Sequence, residues 1–233
     1  MTKRIGILGG ISHESTIAYY DLILRKHFAR SKNAYYPEIV IFSLDFQKFT
    51  DFEDSGDRVG YLAYIMAGVR ALEAAGVDFI LMAANSPHAV FDEVAALAKV
   101  PLLSIAQVTK AAALQTGVRK FLLLGIKFTM QATFYPTAFA TAGLQIVTPS
   151  DSEQDEINRI IFAELALGNF SGNSKQWLLA LIHEYAASHG IDGVILGCTE
   201  LPLLLKAGDS DLLLLDTLDL HAEAALTYAR SAD

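Results

Sequence analysis

The chain has 233 residues, of which 52% are apolar and 19% are charged, with a formal net charge of −8. The negative balance argues against nucleic acid as a partner, and no apolar run approaches the roughly 18 residues of a membrane span. The amino terminus lacks the long apolar stretch of a signal peptide. A single cysteine permits no internal disulfide and fits a reducing compartment. We therefore expect a cytoplasmic protein that binds neither nucleic acid nor a membrane.

Continuous apolar runs alternate with segments in which apolar residues recur at helical spacing. This alternation predicts two sets of mainly parallel strands joined by helices. The predicted strands are Ile5 to Leu8, Glu38 to Leu44, Phe79 to Met82, Val100 to Ile105, Phe121 to Leu124, Leu144 to Val147, Val194 to Leu196 and Leu212 to Leu215. The polar segment from Asp45 to Gly60 is interpreted as a solvated loop, with a mobile flap over the site as the alternative.

A turn with two glycines, Gly9-Gly10, follows the first strand and leads to Ser12. Glycine lets backbone N–H groups approach an anion closely at such a turn. Ser12 is therefore a candidate both for the N-cap of the next helix and for substrate contact. Only two glycines are present at this turn, so a dinucleotide cofactor is not expected.

The one cysteine, Cys198, stands in Gly-Cys-Thr-Glu directly after the strand that ends at Leu196. Open α/β sheets bind ligands at the carboxyl ends of their strands, so Cys198 is a candidate reactive thiol. A small buried residue at a strand end is the alternative, because free cysteine is among the most buried residue types. A second segment with the same layout, Gly76 to His88, has Ala84 in the place of Cys198. Its His88 is typical of a structural or capping histidine.

The two segments lie 114 residues apart, and other landmarks repeat at offsets of 112 and 116 residues. Such a constant offset predicts two similar α/β lobes. We predict two Rossmann-like lobes related by a pseudo-twofold axis, each with a mainly parallel sheet. The first comprises residues 1–115 plus 217–233 and the second residues 116–216. The loops of Ala84 and Cys198 are expected to meet in the cleft between the lobes, which would form the active site.

These motifs resemble those of the aspartate/glutamate racemase family, the amino-acid racemases that use no cofactor. The matching segments are Ile5 to Gly10 with Glu14 to Thr16, Ala84 to His88, Leu124-Gly125 with Thr129-Met130, Ile157 to Gly168, and Gly197 to Glu200. The resemblance covers nearly the whole chain. It implies an amino acid as substrate, no cofactor or metal, and a homodimer. It also implies that positions 84 and 198 move protons on opposite faces of the substrate's α-carbon.

Candidate substrate-binding residues come from the matching motifs and from strand ends. They are Ser12, Asn85, Ser86, Thr129, Glu156, Thr199 and Glu200. Two positions depart from the family pattern. Ala84 can act neither as acid nor as base, and Glu156 stands where members that take acidic substrates carry a cation. A negative charge there would repel an acidic side chain and favour a neutral or basic amino acid; the alternative is that Glu156 points to solvent.

Three functions are compatible with these residues. The first, which we expect, is an amino-acid racemase or epimerase in which Cys198 is one acid/base, and water or a neighbour such as Ser86 replaces the other. Use of Cys198 as a base calls for a thiol pKa lowered by nearby N–H groups. The second is a one-cysteine decarboxylase resembling the arylmalonate-decarboxylase branch of the superfamily. The third is a non-catalytic amino-acid-binding protein. A natural and an introduced Ala84 both fit the sequence.

Overall fold

The computed structural model describes residues 2–231, and the strands in this range form two four-stranded sheets in which all paired strands are parallel. The strands are β1 (Ile5–Gly9), β2 (Ile39–Ser43), β3 (Phe79–Met82), β4 (Leu102–Leu103), β5 (Lys120–Leu124), β6 (Gln145–Val147), β7 (Gly193–Leu196) and β8 (Leu213–Asp216). The α-helices are α1 (His13–Ser31), α2 (Phe46–Ser55), α3 (Arg58–Ala74), α4 (Phe91–Leu97), α5 (Ile105–Leu114), α6 (Lys127–Gln131), α7 (Phe134–Ala140), α8 (Asp151–Ala163), α9 (Gly172–His189), α10 (Leu201–Leu204) and α11 (Thr217–Arg230). Short 3-10 helices cover Ser86–Val90 and Leu165–Leu167. Within the described residues, no helix is both long enough and apolar enough to cross a membrane.

The two sheets have the same strand order. The first runs β2-β1-β3-β4 and the second β6-β5-β7-β8. In each sheet the first strand along the chain therefore lies between the second and the third. This order confirms the predicted α/β class with two similar halves built on parallel strands.

The chain divides into two compact units. Unit 1 runs to Ile105 and resumes at His221, and unit 2 runs from Ala106 to Leu220. Helix α5, which the sequence analysis placed in the first lobe, thus belongs to unit 2. Its Ala106 and Ala113 pack in one core with Phe121 of β5, which accounts for this difference from the predicted boundary.

Different helices pack against the two faces of the sheet in unit 2. One core, shared with α8 and α9, takes alternate residues of β5 and β7: Leu122, Leu124, Val194 and Leu196. The other core, shared with α5 and α7, takes the residues between them: Phe121, Leu123 and Ile195. Because side chains alternate along a strand, a sheet covered on both faces has strands that are apolar at every position. This is why the strands were recognisable as continuous apolar runs.

The segment from Asp45 to Gly60 is largely helical, which corrects its interpretation as a loop. Helix α2 begins after Asp45, whose side chain accepts a hydrogen bond from the Lys48 N–H at 3.2 Å. It ends at Gly56, which has a φ of 67°. Phe49 is fully buried and packs against Tyr61 of α3, with ring centroids 5.1 Å apart. One buried aromatic ring therefore anchors a helix that is otherwise rich in polar residues.

Gly10→Ala is expected to destabilise the protein more than Gly56→Ala, a matched control in the same unit. Both glycines have positive φ, 78° and 67°, and that region costs an L-residue about 1–2 kcal/mol. A Cβ on Gly10 would also lie 2.2 Å from the Leu44 carbonyl oxygen, whereas a Cβ on Gly56 would meet no atom within 4 Å. Urea unfolding of both variants measures the difference. Equal losses would contradict the close approach at Gly10.

Candidate active site

The turn after β7 is held tightly against the end of β5. The Gly197 N–H donates to the Leu124 carbonyl at 2.6 Å, one residue beyond the last strand residue. A Cβ on Gly125 would lie 2.8 Å from the Gly197 carbonyl oxygen, so a larger residue at position 125 would force the two turns apart. Cys198 is therefore fixed beside the Gly125 turn, at the carboxyl edge of the sheet.

The Cys198 thiol is buried in a hydrogen-bonded group with its two neighbours. Its side chain is only slightly exposed, and Sγ donates to Glu200 Oε2 at 2.9 Å. The Thr199 hydroxyl donates to the same oxygen at 2.8 Å. Burial, followed by the charge of Glu200 and its hydrogen bond, raises the pKa of Cys198 well above its usual range. Backbone N–H groups act in the opposite direction but are outweighed, so the resting residue is a thiol. This corrects the expectation of a lowered pKa.

Thr129 presents a buried hydroxyl for which the described residues supply no partner. It lies in α6, close to the Gly125 turn, and its Oγ1 is buried without a hydrogen-bond partner among residues 2–231. The start of α6 is fixed by the Lys127 N–H, which donates to Asn158 Oδ1 of α8 at 2.9 Å. A buried polar group without a partner costs about 1–3 kcal/mol. Thr129 can therefore gain free energy from a bound ligand that accepts or donates a hydrogen bond.

The turn after β3 in unit 1 is fixed by backbone groups on several sides. The Ala83 N–H donates to the Leu8 carbonyl of β1 at 2.8 Å, and the Ser15 hydroxyl donates to the Ala83 carbonyl at 2.5 Å. Ala84, Asn85 and Ser86 follow, and all three are buried. The residue aligned with Cys198 is thus held as firmly as the cysteine but carries only a methyl group.

His88 joins this turn to Ile105, the first residue of α5, through two hydrogen bonds that define its tautomer. The Ile105 N–H donates to Nε2 at 3.1 Å, so Nδ1 carries the proton and donates to the Ala84 carbonyl at 3.1 Å. Burial, then the nearby His221, lowers the pKa of His88 to about 3. His221 has a pKa lowered by burial to about 4, and its ring nitrogens lie 2.9 Å from the Tyr19 hydroxyl and 3.1 Å from the Leu103 carbonyl. Both histidines are therefore neutral structural groups at physiological pH.

Ser12 and Glu156 both have local structural partners. Ser12 is the N-cap of α1, where its side chain accepts a hydrogen bond from the Ser15 N–H at 3.1 Å. Its φ of 71° is rare for a residue other than glycine. The Glu156 carboxylate lies on α8 and accepts hydrogen bonds from Arg159 at 2.7 and 2.8 Å, which lowers its pKa. Its negative charge is thus paired within the same helix.

No group of three or more His, Cys, Asp or Glu side chains that could hold a metal ion occurs in the described part of the chain.

Comparison with known proteins assigns the family. The sequence profile described as Asp/Glu/Hydantoin racemase matches residues 8–225. The chain belongs to this racemase family. It is 26% identical over 216 residues to the broad specificity amino-acid racemase RacX of Bacillus subtilis (strain 168), covering 91% of this chain and 92% of that protein.

Solved structures of racemase family members agree with this assignment. An aspartate racemase homologue from Pyrococcus horikoshii OT3 is 41% identical with a TM-score of 0.86, covering 98% of this chain and 100% of the other. The aspartate racemase of Picrophilus torridus is 21% identical with a TM-score of 0.77, covering 97% of this chain and 94% of the other, and supports the fold. Membership in this family supports a racemase-type function for the chain.

In this member of the racemase family, two side chains near the Ala84 turn, Tyr61 and Glu53, were not predicted as part of the site, whereas Ser86, which contacts both, was. The Tyr61 hydroxyl of α3 donates to Glu53 Oε1 of α2 at 2.8 Å. The Ser86 side chain hydrogen-bonds both of them. Burial, opposed by these two hydrogen bonds, raises the pKa of Glu53 to about 7. Glu53 lies 33 residues before Ser86 in a segment of mixed polar character, so no sequence signal pointed to it.

Glu200→Gln is expected to shift alkylation of Cys198 by iodoacetamide to lower pH, since loss of the Glu200 charge removes a cause of the raised thiol pKa. Because Cys198 is the one cysteine of the sequence, the pH dependence of the alkylation rate reports on this thiol alone. Glu156→Gln, which removes a paired carboxylate elsewhere in unit 2, serves as the control. An unchanged or higher midpoint in Glu200→Gln would contradict the assigned role of Glu200.

His88→Asn is expected to flatten the loss of stability in acid. In the native protein the pKa of His88 lies below its ordinary value of 6.5, at about 3, so the unfolded chain binds the proton first. Stability is therefore lost as pH falls below 6.5, by up to about 1.4 kcal/mol per pH unit for each such histidine. The variant should be less stable at pH 7 and have a shallower slope between pH 6 and pH 4.

The measurement is the free energy of unfolding in urea at several pH values, compared as the difference between variant and native protein. In this difference the opposite contribution of Glu53, whose raised pKa makes stability fall as pH rises towards 7, cancels. His183→Asn, at an exposed position of α9, is the control. A slope for His88→Asn equal to that of the native protein would show that His88 does not become charged on unfolding.

Proposed function

We propose that this chain is an amino-acid racemase or epimerase that needs no cofactor and uses the Cys198 thiol as one acid/base. The observation that carries the proposal is the hydrogen bond from the Cys198 thiol to Glu200 Oε2, 2.9 Å long, directly after β7. Family membership supports the reaction class. The name of the Bacillus subtilis relative, a broad specificity amino-acid racemase, supports an amino acid as substrate.

The protonated state of Cys198 allows it to act directly as the acid of the reaction. As a thiol, it can deliver its proton to a carbanion at the substrate's α-carbon. To act as a base it must first lose that proton, and the Glu200 carboxylate, which already accepts its hydrogen bond, is the adjacent acceptor. The thiolate then removes the α-proton and is restored to the thiol. The dry surroundings of the sulfur favour this chemistry, because a thiolate formed there is poorly solvated and strongly basic.

Hydrogen-bonding groups at the turns are proposed to hold the substrate's α-carboxylate. In unit 2 these are Thr129 and Thr199, and in unit 1 they are Asn85 and Ser86. The partnerless Thr129 hydroxyl supports its inclusion, because a carboxylate oxygen would satisfy it. Ser12, on the strained turn after β1, is proposed as a further contact, since strained residues cluster at ligand sites.

Glu156 is proposed to lie near the side chain of the substrate. Because Arg159 pairs with this carboxylate, any repulsion of an acidic substrate is weakened. The preference for a neutral or basic amino acid is tested by comparing aspartate with lysine and homoserine in the exchange assay below; preference for aspartate would refute it. A homodimer and a cytoplasmic location also remain proposals, supported by the resemblance to the family and by the single cysteine.

The native protein is expected to exchange the α-proton of an amino acid for solvent deuterium, which proton NMR in D₂O detects. Separate incubations with L- and D-aspartate, glutamate, lysine and homoserine would identify the substrate. Cys198→Ala should slow exchange by about 100-fold or more, the usual contribution of a positioned acid/base. Ala84→Cys should increase inversion, since it restores a thiol at the position where the resemblance implies one.

His183→Asn, on an exposed surface of α9, should exchange at the native rate. Amino-acid binding without exchange in any variant would favour the binding-protein alternative. Loss of carboxylate from an aryl-substituted malonate, without exchange at any amino acid, would favour the decarboxylase.

A further inference from the structure

Three polar side chains of unit 1 form a closed hydrogen-bonded group beside Ala84. Glu53 comes from α2, Tyr61 from α3 and Ser86 from the 3-10 helix that follows β3. The Tyr61 hydroxyl donates to Glu53 Oε1 at 2.8 Å, and the Ser86 side chain hydrogen-bonds both partners. Tyr61 and Ser86 are buried and Glu53 is partly buried. The carboxyl group is thus connected through one hydroxyl to the turn that carries Ala84.

The charges around Glu53 leave its carboxyl able to exist in both protonation states near neutral pH. Tyr61 faces it from α3, and Asp54 of its own helix repels its negative charge. The two cations nearest to it along the chain are Lys48, whose Nζ lies 4.7 Å from the centroid of the Tyr64 ring, and Arg58, which is occupied by Glu93 and the Ala89 carbonyl. Burial is the largest influence and raises the pKa of Glu53 to about 7. A group with this pKa both accepts and releases protons at working pH.

In both units a carboxyl group is hydrogen-bonded to the turn, but the two carboxyl groups come from different places in the chain. In unit 2, the residue two places after Cys198 is Glu200, which accepts the thiol's hydrogen bond. In unit 1, the residue two places after Ala84 is Ser86, and the carboxyl group that it contacts comes from Glu53. Unit 1 therefore lacks the thiol but retains a carboxyl group hydrogen-bonded to its turn.

We propose that Glu53, acting through the Ser86 hydroxyl, supplies and removes the second proton of the racemase reaction in place of the side chain that Ala84 lacks. The inference rests on the proposed function, in which Cys198 carries the other proton. Ser86 is the group that touches the substrate, and Glu53 is a positioning residue and proton store.

The step is balanced in both directions. When the Glu53 group is the acid, the Ser86 O–H bond breaks as its proton joins the carbanion's electron pair to form the α-carbon–hydrogen bond. The Glu53 carboxylic acid gives its proton to the Ser86 oxygen, so Ser86 is unchanged and Glu53 ends as a carboxylate. When it is the base, the α-proton passes to the Ser86 oxygen and the serine proton passes to Glu53. Cys198 gains or loses one proton in the opposite sense, and exchange with water restores both groups.

The test compares Glu53→Gln with Asp51→Asn in the full-length protein. Glutamine keeps the size of Glu53 and an oxygen that accepts hydrogen bonds, but it does not titrate. Asp51 lies on the same helix with an exposed side chain and outside the Glu53 group. In Glu53→Gln, inversion should fall by about 100-fold or more, while deuterium exchange should persist from the one enantiomer whose proton Cys198 removes. A plot of the native inversion rate against pH should have a limb near pH 7, where Glu53 gains or loses its proton. This limb should be lost in Glu53→Gln and kept in Asp51→Asn.

Tyr61→Phe provides a second, independent readout should Glu53→Gln fail to fold. The Tyr61 hydrogen bond lowers the pKa of Glu53, so its removal should move the same limb to higher pH. A purely structural role for the group would change the rate without moving the limb.

Three further results would overturn the inference. Exchange at the native rate from both enantiomers in Glu53→Gln would do so while leaving the proposed function intact. A raised KM with an unchanged kcat in this variant would also do so, because Glu53 would then be a binding group only. Absence of exchange by the native protein with every amino acid tested would defeat the proposed function itself, and the inference with it.

Discussion

One hydrogen bond, made in the same way in both units, determines where the candidate chemistry is placed. In unit 1 the Ala83 N–H donates to the Leu8 carbonyl, and in unit 2 the Gly197 N–H donates to the Leu124 carbonyl. Each bond extends the parallel ladder by one residue beyond the strand, so the next residue leaves the sheet at a fixed point. That next residue is Ala84 or Cys198. The glycine turns, the helices that follow and the polar groups near these residues all take their positions from this link.

Because the backbone is equivalent, the difference between the two turns lies in the side chains. The turn in unit 2 has a thiol, on Cys198, and a carboxylate, on Glu200, within three consecutive residues, and burial keeps the sulfur protonated. Ala84, Asn85 and Ser86 carry no carboxyl or thiol group, and the carboxyl group at this turn comes from Glu53, on a helix 31 residues before Ala84. The side chains at these turns can thus differ between the two units while the sheets keep the same strand order.

The sequence predicted what depends on local pattern and repetition. The strands before Ala84 and Cys198 are covered on both faces, so they appear as uninterrupted apolar runs, and the constant offset between them revealed the two halves. The position of Glu53 beside Ser86 could not be predicted, because it depends on the burial of Phe49, which turns a polar segment into a packed helix. His221 was missed for a similar reason, since its partners Tyr19 and Leu103 lie more than 100 residues away. The raised pKa of Cys198 depends on burial and then on the side-chain direction of Glu200, and spacing alone determines neither.

Near the Ala84 turn, the side chains with structural roles differ from the side chain that titrates near neutral pH. His88 fixes the turn and His221 joins Tyr19 to Leu103, each through hydrogen bonds that require a neutral ring, and burial keeps the pKa of each histidine at about 4 or below. Glu53 is buried less completely, and its pKa lies near 7. Near neutral pH, a proton can therefore enter or leave Glu53 while the hydrogen bonds of both histidines stay intact. A turn that must remain fixed while a proton moves beside it requires this separation, because a histidine that became charged would give up the hydrogen bond that its unprotonated nitrogen accepts.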